Sequence, residues 1–237
     1  EFAYFEEAFA GVRPFEMALE VEPGLDPLSP AVLRVCDEVE EHLRSTYGAG
    51  GVTGAATVLR TVNRWQNGNQ MSFDRLPPDD EALTRLVSLI DRFDARGQWR
   101  AFVNPDAQMH RISGKVPDIG AQALGERNAA FHDWFARNHS DSGVTPVITG
   151  TATLVDLNNA SLASDMVTGL AIAFAVIAII SGLLFRSGRM VLISFIPNML
   201  PLLMIAGIMG LAGIDLKVST SIIFTIAFGI AVDDTIH

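Results

Sequence analysis

Apolar and polar positions alternate from Phe15 to Val21. Phe15, Met17, Leu19 and Val21 are separated by Glu16, Ala18 and Glu20. A period of two predicts a half-buried strand. The turn-forming run EPGLDPLSP follows, and Ser29 then predicts a helix start with Pro30 at its first position. Val32, Val35, Cys36, Val39 and Leu43 form one apolar stripe along that helix, so Asp37, Glu38, Glu40 and Glu41 are expected to face outward. The glycine-rich GAGGVTG at 48–54 closes the helix and turns the chain. It lacks the Gly-Lys-Ser/Thr ending of a phosphate loop.

The next elements follow the same logic. Ala55 to Trp65 reads as a helix and Asn67 to Pro78 as a loop. Asp79 to Phe93 is amphipathic, with Leu83, Leu86, Val87 and Ile90 on one side. Its acidic start, Asp79, Asp80 and Glu81, suits the positive end of a helix dipole. Gly97 marks a subdomain break near 94–98. Trp99–Val103 and Gln108–Val116 read as strands joined through Asn104-Pro105-Asp106. A helix over Ile119–Asn138 turns Leu124, Phe131 and Phe135 inward, and Val144–Thr149 is a further strand. The second set approaches a split β-α-β unit. The expected class for 1–160 is therefore α+β, built of ferredoxin-like βαβ subdomains.

The pattern then changes. A connector helix at Thr151–Asp165 feeds the run Met166–Phe185, about the 20 apolar residues that crossing a bilayer needs. Arg186-Ser187-Gly188-Arg189 makes a basic hairpin, Met190–Leu211 a second run, and Ser219–His237 a third, after a link holding Asp215 and Lys217. The expectation for 161–237 is an all-α transmembrane bundle with spans near 166–185, 190–211 and 219–237. Arg186 and Arg189 set the topology, placing their hairpin on the cytoplasmic side and 1–160 on the other. Pro197 and Pro201 are four apart and each removes a backbone donor, so a bend is expected, as a hinge or a fixed kink. Asn198 beside it serves a helix–helix hydrogen bond or a substrate contact.

The third run carries adjacent carboxylates, Asp233 and Asp234. One acidic residue at the centre of a spanning helix costs roughly 2.5–3.5 kcal/mol on insertion scales. The pair fits a proton or ion relay facing a protein interior, or a helix that ends near Val232 and leaves both in a solvated loop. Gly229, one turn earlier, would let a neighbouring backbone approach.

Composition narrows the function classes. The chain has 237 residues and a net charge of −10. From Met166 onward three cationic and three anionic residues cancel, so the whole −10 lies before it. An acidic surface argues against nucleic acid as a partner. Cys36 is the sole cysteine and reads as core packing. His110, His132 and His139 lack zinc-helix spacing, and no nucleophile elbow or Cys/His pair stands out, so neither an enzyme nor a metal or cofactor site is expected. Trp65, Trp99 and Trp134 are assigned to core or subdomain contacts. Both chain ends read as cuts, giving the expectation of a piece of a longer protein.

The basic hairpin FRSGR, the run with PN-x-LP and the ending GIAVDDTIH together resemble the resistance–nodulation–division superfamily, in particular its MMPL-type exporters, related to Patched-like and sterol-sensing proteins. FEEAFAGVRPFEMALEV, Leu76–Pro78 and Thr149-Gly150 fit as well, so the resemblance covers nearly the whole chain. It implies an extracytoplasmic porter domain at 1–160, a bacterial inner-membrane location and proton coupling at Asp233 and Asp234. It also implies membrane lipids and hydrophobic or lipid-like cargo as partners, and a homo-oligomeric full-length protein. A non-transporting, sterol-sensing-like lipid sensor or membrane scaffold is the alternative.

Overall fold

The computed structural model describes residues 11–94, 97–186, 188–213, 220–227 and 229, with several helical positions after Gly150 described by their backbone alone. The chain divides into two compact units, Glu1–Leu154 and Val155–His237.

The first unit is built on a five-stranded antiparallel sheet. β1 (Arg13–Val21), β2 (Gly50–Thr53), β3 (Val103–Asn104), β4 (Met109–Val116) and β5 (Val144–Thr149) contribute to it. The order across it is β2-β4-β1-β5, and β3 joins β4 as well. The outer edge of β4 is thus shared, with β2 opposite Ser113 and Lys115 and β3 opposite Met109 and His110. Strands from both sides of 94–98 therefore belong to one sheet. Among the described residues β5 pairs with β1 alone, which suits Pro146, since an edge strand tolerates a missing N–H donor.

Alternation places the core. Phe15, Met17, Leu19 and Val21 of β1 are buried. They pack with Val32, Cys36, Val39 and Leu43 from α1 (Pro30–His42) and its π-helical continuation (Leu43–Tyr47), and with Leu124, Phe131 and Phe135 from α4 (Ala121–His139). His42 stacks on Trp134 at 3.8 Å between ring centroids, tying α1 to α4. Cys36 is buried here, and burial pushes its thiol up. A second cluster joins Leu33 to Ala55 and Leu59 of α2 (Ala55–Gln66), Leu83, Leu86 and Val87 of α3 (Asp80–Phe93), and Trp99. Asp79 caps α3, its carboxylate accepting from Ala82 N at 2.9 Å.

Glu40 departs from the outward orientation expected for it. It is fully buried, and its carboxylate accepts from Ala56 N at 3.0 Å and Thr57 N at 2.9 Å, the first turn of α2. Those amides have no intrahelical partner, and the residue before α2 is Gly54, which has no side chain to cap them. Arg44 meets Glu40 at 3.1 Å and also donates to Val52 O at 3.1 Å. Burial raises the Glu40 carboxyl above its usual range, and Thr57, Arg44 and Arg60 pull it back. A Cβ on Gly54 would stand 2.4 Å from Glu40 Oε1, so only glycine leaves room for this cap.

Other differences are local. The glycine-rich run after α1 includes strand β2, because Gly48 ends the helical segment in a left-handed conformation at φ 80° and the chain then re-enters the sheet. Trp99–Ala101 forms a 3-10 turn in place of a strand, with Asp94 accepting from Gln98 N and Trp99 N.

In the second unit, α5 (Thr151–Phe185) and α6 (Gly188–Ala212) are long helices, and 220–227 is helical. The expected all-α transmembrane bundle is not seen: among the described residues no helix is long and apolar enough to cross a membrane.

Two outcomes follow from the first unit. G54A should displace Glu40 and lower the unfolding free energy by about 2–3 kcal/mol in urea titrations. An unchanged midpoint would contradict this role for the cap. His110 is buried, with Nε2 at 2.8 Å from Pro27 O and Nδ1 without a partner among the described residues. Burial lowers its pKa, with the Pro27 bond opposing. A depressed folded-state pKa means that its contribution is complete above the unfolded value near ~6.5 and is lost as pH falls through the folded value. Stability should therefore decline on acidification below that point, and less steeply in H110Q, as measured by denaturant unfolding at a series of pH values. Parallel curves for the two proteins would exclude His110 as a source.

Candidate functional site

α2 and α3 lie side by side, and the 3-10 turn at Trp99 closes one end between them. Val58, Val62 and Trp65 recur on one face of α2, while Ile90 and Phe93 project from α3. With Trp99 and Phe102 they line a cavity of about 660 Å³. That is within the ~300–1,000 Å³ range of small-molecule sites. Trp65 and Phe93 are each 73% exposed. Two large aromatic side chains flanking an apolar hollow are the kind of exposed patch that marks a binding surface. Among the described residues Asp94 is the one ionisable residue in the lining, and its carboxylate is already engaged by the backbone amides of Gln98 and Trp99 at 2.7 and 2.8 Å.

A second cavity abuts this one. It measures about 480 Å³ and shares Gln66 and Leu89 with the groove. Its lining is more polar, holding Asn63, Asn67, Arg75 and Arg85. Asn63 is buried and donates to Phe73 O at 3.0 Å and Arg75 O at 2.8 Å, which fixes the loop after α2.

In the second unit, Met166, Leu170 and Phe174 of α5, Leu202 and Met209 of α6, and Phe224 line an apolar cavity of about 370 Å³. Leu202 and Phe224 are buried, whereas Ile172, Ile179, Leu183, Leu203 and Leu211 are exposed.

The residues singled out from the sequence fare differently. Asp233 and Asp234 lie outside the described residues. Gly229 is helical and exposed, and a Cβ built there meets nothing within 4 Å among the described residues. Pro197 and Asn198 are described by their helical backbone alone, Pro201 is exposed, and α6 continues unbroken through all three positions. Arg186 and Arg189 are exposed, and Arg186 has a left-handed φ of 48° just after α5.

Trp65 departs from its expected place in a core or subdomain contact: it is exposed and lines the groove. The available signal was its position: Val58, Val62 and Trp65 are four and three apart, a second apolar stripe on a helix whose Leu59 already faces the core. Among the described residues no group of three or more His, Cys, Asp or Glu could hold a metal ion. The arrangement is suited to holding an apolar molecule by contact. No family model matches the chain, and no curated protein does so either.

Proposed function

We propose that this chain is part of a proton-driven exporter of hydrophobic or lipid-like cargo at the bacterial inner membrane. The observation that carries the cargo class is the open apolar groove between α2 and α3, with Trp65 and Phe93 at its rim. The apolar cavity and exposed aliphatic side chains of the second unit support the same class. Coupling to protons rests on the sequence, through the adjacent carboxylates Asp233 and Asp234 in an apolar run. Protonation would change the hydration and packing of that pair and bias the protein between two conformations. In this reading membrane lipids and protons are partners, and the working protein is a homo-oligomer.

A specific feature favours the second reading, a lipid sensor or scaffold that moves nothing. Among the described residues the lining of the second-unit cavity is apolar and carries no ionisable side chain, so a lipid could occupy it without any coupled proton. The two readings part on gradient dependence. In the full-length protein, D233N and D234N should together reduce cargo efflux under a proton gradient to the level of an uncoupled membrane. Undiminished efflux would remove the coupling, and gradient-independent lipid binding with no efflux would establish the sensor.

A further inference from the structure

We propose that the α2–α3 groove and the polar cavity beside it form one site for a single-chain, fatty-acid-type carboxylate, with the chain in the groove and the carboxylate on Arg75. The choice of ligand rests on reading this chain as a handler of lipid-like molecules; the geometry does not. The two cavities share Gln66 and Leu89, so an apolar hollow and a polar one meet along a common wall. An amphiphile has the same division.

Charge selects the headgroup. Arg75 and Arg85 are the ionisable residues lining the polar cavity. Arg85 is already held by Glu81 at 3.5 Å and Asp79 at 3.9 Å. The guanidinium of Arg75 meets no carboxylate among the described residues, and nearby Asp74 faces Arg64 at 3.7 Å. Among the described residues lining the polar cavity, Arg75 is therefore the cation without a counter-ion, and its planar fork suits a carboxylate accepted through two parallel hydrogen bonds. Its main chain is fixed beforehand, since Arg75 O accepts from the buried Asn63. Preorganisation of this kind lowers the ordering cost of binding. In the groove, Asp94 offers no competing free charge because two backbone amides occupy it.

The test uses the full chain with oleate and methyl oleate as probes, followed by calorimetry and by quenching of tryptophan fluorescence. The wild type should bind oleate about tenfold tighter than the ester, the margin of one charge-assisted contact. R75Q should lose that preference and leave ester binding unchanged. Its fold is protected, because the backbone carbonyl of residue 75, not its side chain, holds the loop to Asn63. W65A, at an exposed position, should weaken both probes equally. Equal affinity for the two probes, an R75Q protein that still prefers oleate, or no binding of either probe would overturn the proposal. Loss of efflux coupling at Asp233 and Asp234 would leave this binding intact, so the two readings fail separately.

Discussion

A buried carboxylate sets the geometry of the first unit. Glu40 spans two helices: it belongs to α1 and caps the open first turn of α2. Burying a charge is costly unless it is paired and hydrogen-bonded. Here the compensation is dense, with two backbone amides, the Thr57 hydroxyl and Arg44 around one carboxylate, and Arg60 linking Asp37 at 3.3 Å to the same cluster. Removing one partner would leave the others buried without a counterpart. The helix so fixed is the one that carries Val58, Val62 and Trp65 into the groove.

The groove follows from that placement together with a core that is already full. Leu59 of α2 and Leu83, Leu86 and Val87 of α3 are consumed by the second cluster against Leu33 and Trp99. Val58, Val62, Trp65, Ile90 and Phe93 on the two helices line the cavity instead. Asn63 fixes the loop after α2 and Asp94 the 3-10 turn after α3, and the cleft lies between the two helices. The same loop presents Arg75 next to it.

Much of this was legible in the sequence. Strict alternation over Phe15–Val21 gave β1, the periodic stripe of α1 gave its buried face, and the acids at Asp79–Glu81 marked the start of α3. What failed has physical causes. Glu40 reads as solvated because a charged residue among other acids on a helix normally faces water; its burial depends on Gly54, Thr57 and Arg60, which are distant in sequence. β2 was hidden because glycines signal turns, while a sheet edge accepts them where a neighbouring backbone comes close, as Gly50 O does beside Gly114. The apolar runs after Met166 meet the length rule in sequence, but among the described residues no helix is long and apolar enough to cross a membrane. Asp233 and Asp234 fall outside the described residues, so the relay rests on sequence alone.

The central claim is that Glu40 holds the start of α2 and, through it, the groove. Amide hydrogen exchange at Ala56 and Thr57 tests this most directly, because first-turn amides owe their protection to a cap and not to the helix itself. Exchange should be slow in the wild type. In E40A it should become fast at Ala56 and Thr57 and faster along α2, with β1 and β4 still protected. Equal protection of those two amides in both proteins would contradict the account.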